Sequence, residues 1–425
     1  MEIVGSEPLY TTLEIRKIEE AAIRSHEHTG SSLMLSAARA SFEILYKVWP
    51  ENRKIQILCG TGKNGGDGYL LAGLALSRGW EVVVWQVGDL SRINGEAAIA
   101  RNHVLLEGIT EHAYQSGCLN PDGVIVDAMI GTGLKTQLKP QYLNAVREIN
   151  EAGLPVLAID LPTGLNADTG EVLGDAVKAD HTITFVEKKR GFFTASGPDY
   201  IGNLNVNALG LRQSDYLSVK PSSYKLDLGA LLLESGARKF RSHKGTFGSV
   251  LVVGGNYNMG GAVALAGEAA LRTGAGLVRV LTRKEHISSI LARTPELMVF
   301  ETKSKRQIES IISESDVVLV GPGLGRDSWA EQLLSAVLKN SSKIILDADA
   351  LNLLTEKKIT SFGSKCIIST PHPGEAARLL SVSSGEVQKD RFSAAEAIQK
   401  VIGGTVILKG NGTLIFDGKS FLICP

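Results

Sequence analysis

A chain of 425 residues exceeds one ordinary hydrophobic core, and two domains of about 200 residues each is the natural division. Hydrophobic residues make up 44%, charged residues 21%, and 45 Lys+Arg balance 45 Asp+Glu. No global field therefore draws the chain to nucleic acid or an acidic membrane surface, and any anion site has to be built locally.

The opening MEIVGSEPLYTT has no basic segment followed by an apolar stretch. No apolar run approaches the ~18 residues of a bilayer span. Neither a secretory signal nor a membrane partner is expected. Cys59, Cys118, Cys366 and Cys424 lack metal-ligand spacing, which fits structural thiols in a reduced, cytoplasmic setting.

Leucine and alanine spacing predicts helices over Thr12–His28 and Leu33–Val48. Short β-branched runs then predict strands over Ile55–Cys59, Val82–Trp85, Val124–Asp127, Val156–Asp160 and Thr182–Val186. A helix is expected over Tyr69–Arg78, closed by Gly79. Strand–helix alternation of this kind implies a doubly wound α/β fold with a parallel sheet, whose ligands collect at the carboxyl ends of the strands.

Between the first strand and that helix runs Cys59-Gly60-Thr61-Gly62-Lys63-Asn64-Gly65-Gly66-Asp67-Gly68. Glycines let backbone approach a ligand, and a helix start offers free N–H groups, so a phosphate or pyrophosphate suits this turn. The segment contains a GxGxxG match, but a nicotinamide dehydrogenase also needs an acid about 20 residues on, at the tip of the next strand. That strand ends in Gln86 with Asp89 beyond it, so the redox pattern is incomplete. Two later strands end in Asp127 and Asp160. Either alone reads as a turn or N-cap residue. Together with Asn64 and Thr163 they suggest more, because Asn64, Asp127 and Thr163 offer hard oxygens to one cation. Asp160 is left to face the ligand as acid or base.

GTGKNGGDGY, VDAMIGTGL and AIDLPTGLNADTG together resemble the YjeF N-terminal domain, the NAD(P)H-hydrate epimerase. The resemblance covers nearly all of residues 1–215, the expected first domain, and implies a Rossmann-like fold. It places nucleotide binding on Lys63, Asn64, Gly65, Gly66 and Asp67. Asn64, Asp127 and Thr163 match potassium ligands. Substrate-binding positions fall on Gly131-Thr132-Gly133-Leu134-Lys135-Thr136-Gln137 and on Asp160, the expected catalytic group. The family shows two asparagines where this chain has Lys63-Asn64, and glycine at Ala38. Both aspartates persist, unlike in a related scaffold branch that has lost its catalytic acids.

The pattern weakens from about Ser214 to Phe240, where a domain boundary is expected. Alternation resumes with strands over Ser249–Gly254, Leu277–Leu281, Val317–Gly321, Lys343–Leu346, Cys366–Ser369 and Thr405–Lys409, with a helix over Val263–Thr273. A hairpin is expected from Thr413–Phe416 and Phe421–Ile423. The strand ends carry Gly254-Gly255-Asn256, Gly321-Pro322-Gly323-Leu324-Gly325, Asp347-Ala348-Asp349 and Thr370-Pro371-His372-Pro373. His372 taken alone reads as a turn histidine.

These motifs resemble the YjeF C-terminal domain, the ribokinase-like NAD(P)H-hydrate dehydratase that uses ADP or ATP. The match is dense from His243 to Thr413, within an expected second domain of residues 225–425. It implies hydrate binding at Ala262, Gly323 or Gly325, and His372. It implies nucleotide binding at Lys409, Gly410, Asn411, Gly412 and Thr413, with magnesium accompanying the phosphoryl donor. The family continues into a Gly-Gly-x-Gly-Asp anion hole that bears the catalytic base, and residues up to Pro425 contain none. The two resemblances together imply a bifunctional enzyme that epimerises the R and S hydrates and dehydrates the S form to NAD(P)H at the expense of ADP or ATP. Phosphoryl transfer depends on positioning and charge stabilisation, so the alternative is an epimerase whose second half only binds nucleotide. The substrates implied are NADHX and NADPHX, and a homo-oligomer is expected.

Overall fold

The computed structural model describes residues 6–25, 27–227, 229, 231, 238–301, 304–357 and 365–425. The first five residues, and part of the Ser214–Phe240 connection, lie outside the described residues. Backbone contacts group Glu7–Lys225 into one compact unit and Leu226–Cys424 into another.

The first unit begins with β1 (Glu7–Leu9), α1 (Thr12–Arg24) and α2 (Gly30–Val48). Its sheet contains β2 (Lys54–Cys59), β3 (Glu81–Gln86), β4 (Glu111–Ala113), β5 (Val124–Ala128), β6 (Val156–Ile159), β7 (His181–Phe185) and β8 (Asn203–Asn207). These run in the order β4-β3-β2-β5-β6-β7-β8, every pair parallel. All five residues of β5 are buried, as a central strand covered on both faces requires. β1 pairs antiparallel with β9 (Ser223–Lys225) apart from this sheet. The chain leaves β2 for β3 on one side and returns to β5 on the other, so the topological switch lies between β2 and β5.

The first unit's core strands lie where apolar runs predict them, but β4 and β8 emerge without such runs. The helix expected from Tyr69 begins six residues earlier, as α3 (Lys63–Ser77). Its glycines are poor helix formers, yet close packing requires them. A Cβ at Gly68 would stand 2.6 Å from the Ala128 Cβ. α4 (Gly95–Leu106) and α5 (Pro140–Glu151) complete the helical layers used below.

The second unit contains β10 (Ser249–Val253), β11 (Leu277–Thr282), β12 (Met298–Glu301), β13 (Val317–Val320), β14 (Lys343–Leu346), β15 (Cys366–Ser369), β16 (Thr405–Leu408), β17 (Thr413–Phe416) and β18 (Phe421–Cys424). Their order is β18-β17-β16-β15-β14-β13-β10-β11-β12. Pairing is parallel from β12 through β16 and antiparallel through β17 and β18. Again the first strand of the unit sits at the switch, here between β10 and β13. No helix among the described residues is long and apolar enough to cross a membrane.

Candidate active site

The loops after β2 and β5 meet at the first unit's switch point. A Cβ on Gly60 would lie 1.8 Å from the Met129 carbonyl oxygen, and one on Gly65 would lie 2.0 Å from the Gly60 carbonyl oxygen. Only glycine permits both approaches. α3 starts at Lys63 with Gly62 as its N-cap and no side-chain cap, and its first intrahelical bond runs from the Gly66 amide to the Gly62 carbonyl. The Lys63, Asn64 and Gly65 amides thus precede the helical ladder, at the positive end of its dipole.

These loops bound a cleft of about 770 Å³, a size suited to a small-molecule ligand. Lys63, Asn64, Asp67, Asp160 and the whole run Gly131, Thr132, Gly133, Leu134, Lys135, Thr136 and Gln137 line it. Gly65 and Gly66 do not; they pack beneath it, Gly66 against Met34. At the tip of β3, Asp89 accepts from the Ser91 amide at 3.0 Å and hydroxyl at 2.7 Å.

Asp127 and Thr163 form a buried pair below the cleft. The Thr163 hydroxyl donates to Asp127 Oδ1 at 2.7 Å, and the Thr163 amide donates to Oδ2 at 2.7 Å. Burial pushes the Asp127 carboxyl up to about 6, against the lowering effect of those bonds. The Ile130 amide donates to Thr163 Oγ1 at 2.9 Å, while a Cβ on Gly131 would contact Asn64 Cγ at 3.4 Å. The Ile130-Gly131 turn therefore lies against Thr163 and Asn64, while Asp127 reaches it through Thr163. Asn64 is buried, and both its side-chain Oδ1 and Nδ2 have no hydrogen-bond partner. An orphaned buried amide oxygen is costly, and it fits a hard cation. The described residues include no cluster of three His, Cys, Asp or Glu side chains able to hold a metal ion, so a site here would rely on mixed amide, hydroxyl and carboxylate oxygens.

Asp160 follows β6 with φ 68°, which ends the expected strand one residue early. Its Oδ2 accepts from the Thr132 amide at 3.3 Å and its Oδ1 from Lys189 Nζ at 2.7 Å. The sequence reading missed Lys189, because Glu187-Lys188-Lys189-Arg190 looks like a solvated charge run. It also missed Glu19 on α1, which lines the cleft. Burial and then the Asp160 charge raise the Glu19 carboxyl; burial, Asp160 and Glu19 raise that of Asp67 well above the usual range.

In the second unit, a Cβ on Gly323 would lie 2.8 Å from the Met259 carbonyl oxygen and 3.1 Å from the Ala262 Cβ. The switch-point loops after β10 and β13 thereby bring Ala262 and Gly323 together. The Gly325 amide donates to Asp349 Oδ2 at 2.9 Å. His372 lies at the end of β15, where its Nδ1 accepts from the Gly374 amide at 3.0 Å as the N-cap of Pro373–Leu380. Lys409 Nζ donates to Asp347 Oδ1 at 2.9 Å. Beneath the Lys409–Thr413 loop, buried Arg391 donates to the carbonyl oxygens of Leu408, Lys409 and Gly412 at 3.2–3.4 Å. Asn411 sits in this loop with Gly410 at φ 147° and Gly412 at φ 61°. All these groups share the sheet's carboxyl edge.

Residues 30–191 match the family described as YjeF-related protein N-terminus, and residues 250–425 match NAD(P)H-hydrate dehydratase. The bifunctional NAD(P)H-hydrate repair enzyme of Coxiella burnetii is 42% identical over 98% of this chain and 85% of its own length. That of Escherichia coli is 39% identical over 95% of this chain and 77% of its own length. A crystal structure of the Bacillus subtilis ADP/ATP-dependent NAD(P)H-hydrate dehydratase with ATP/Mg2+ is 30% identical, with TM-score 0.39, covering 44% of this chain and 68% of that one. With both halves matched and the identity spread along the whole chain, the protein belongs to the bifunctional NAD(P)H-hydrate repair enzyme family.

Proposed function

We propose that the first half interconverts the R and S hydrates of NADH and NADPH, and that the second half returns the S form to NAD(P)H at the expense of ADP or ATP. One observation carries the first assignment: Asp160, whose Oδ2 is engaged only by the Thr132 amide, lines the same cleft as an uncapped, glycine-rich helix start. The helix amides and Lys63 suit the pyrophosphate, and the Gly131–Gln137 run encloses the rest of the substrate.

The hydrate is a hemiaminal at C6 of the nicotinamide ring. Asp160 removes the proton of the C6 hydroxyl, the O–H pair becomes the second C–O bond, and the N1–C6 pair moves to N1, which takes up a proton. Rotation and reclosure on the other carbonyl face reverse each step and give the other epimer. No electrons are gained or lost. Asn64, Asp127 and Thr163 would hold a potassium ion, which would supply a fixed positive charge at the site.

In the second half, Ala262, Gly323, Gly325 and His372 would receive the hydrate. Lys409, Gly410, Asn411, Gly412 and Thr413 would receive the nucleotide with magnesium. The C6 hydroxyl would take a phosphoryl group, and elimination of phosphate would restore the double bond. Residues 1–425 include no Gly-Gly-x-Gly-Asp element, so turnover by this half is tested directly.

Purified protein is incubated with mixed epimers and followed by chromatography and by NAD(P)H absorbance. Exchange without nucleotide, lost about 100-fold or more in Asp160→Ala with the fold retained, supports the first assignment. Retained exchange in Asp160→Ala removes it. Absorbance recovered only with ADP or ATP supports the second, and no recovery refutes it for this chain.

A further inference from the structure

The first unit's cleft contains a charged group that no motif or family match explains. The Lys189 side chain is 1% exposed. Its ammonium donates to Asp160 Oδ1 at 2.7 Å, Thr184 Oγ1 at 2.6 Å and the Phe185 carbonyl oxygen at 3.0 Å. An ammonium has three N–H donors and no acceptor, so these bonds saturate it. It has no lone pair to form an imine and no spare N–H for a substrate. Whatever it contributes passes through Asp160.

Asp160 is constrained twice. Its backbone is in the left-handed region at φ 68°, which residues with a Cβ rarely adopt. Its amide is fixed by the Ile183 carbonyl oxygen at 2.7 Å. Lys189 then takes Oδ1, leaving Oδ2 beside the Thr132 amide and Gly131. Charges from the other elements also face this carboxylate: Glu19 on α1, and Asp67 and Lys63 on α3. Among these groups Lys189 is the buried cation in direct contact with Asp160.

We infer that Lys189 is a positioning residue for epimerisation, holding Oδ1 of Asp160 so that Oδ2 alone meets the hydrate hydroxyl. The inference rests on the epimerase reading of the cleft. A lysine that merely braced the turn at Val186, whose φ is 67°, would affect stability and leave kcat unchanged.

The test is a kinetic cycle of Lys189→Met, Asp160→Asn and the double variant, with potassium and substrate held constant. Lys189→Met keeps the chain length and removes the charge. It is expected to lower kcat for exchange about 100-fold with KM within about threefold, and the double variant should be no slower than Asp160→Asn alone. Losses that multiply, a change confined to KM, or a kcat above one third of the parent's would overturn the proposal. Thr184→Val removes one anchor of Lys189 without touching Asp160, and should lower kcat about three- to tenfold. Should Lys189→Met not fold, an unchanged kcat in Thr184→Val overturns the proposal by itself. Exchange in the parent separates the two failures: without it the epimerase reading falls, and with it only the role of the lysine is at stake.

Discussion

Asp127 shows how one residue's environment sets a measurable dependence. Its carboxyl is raised from 3.8 to about 6 by burial, so the fold prefers it neutral. With a folded value above the unfolded one, its stabilising contribution is complete below the ordinary carboxylate range and is lost as pH rises through about 6. A cation beside it reverses that preference by favouring the ionised form. Potassium should therefore raise the first unit's thermal midpoint more at pH 8 than at pH 5, measured against tetramethylammonium chloride at equal ionic strength. An equal rise at both pH values would count against Asp127 as a ligand. Asn64→Ala should remove most of the potassium effect while the protein stays folded, because the orphaned amide of Asn64 has no protein partner to lose.

Among the elements, legibility followed burial. The strands β2, β5 and β6 are buried almost throughout and read as mainly apolar runs, visible without a structure and interrupted only by Lys54, Gln56 and Asp127. Asn203–Asn207 and Glu111–Ala113 are edge strands with polar, partly exposed side chains, so their pairing comes from neighbours and leaves no sequence period. The start of α3 was hidden for the opposite reason: its glycines read as a loop, and only contact with Gly60, Met34 and Ala128 explains them. The strand-end acids and glycine turns of the site were legible as motifs. Lys189 and Arg391 were not, since a buried cation and a solvated one look alike until tertiary partners are known. Gly65→Ala forces a Cβ to within 2.0 Å of the Gly60 carbonyl oxygen, and overpacking against backbone typically costs about 1–3 kcal/mol. Denaturant unfolding of the first unit should show that loss, together with weaker substrate binding.

For the whole molecule, each unit carries its own switch point and its own set of polar strand ends. Changes confined to one set are expected to add independently of the other. Arg391→Met removes the donors beneath the Lys409–Thr413 loop. It should weaken ADP binding about tenfold by calorimetry and leave epimer exchange unaltered; a matching drop in exchange would show that the two halves are coupled.

The contact between Gly60 and the Met129 carbonyl oxygen also bears on synthesis. The glycine turn emerges early from the ribosome, but the backbone it rests on arrives some 70 residues later, and Asp160 and Lys189 later still. A nascent chain that ends before Lys189 cannot have a finished pocket, whatever helix or strand it has already formed. Part of the cleft lining, Phe185 and Lys189, is therefore in place only after β7 has been laid against β6.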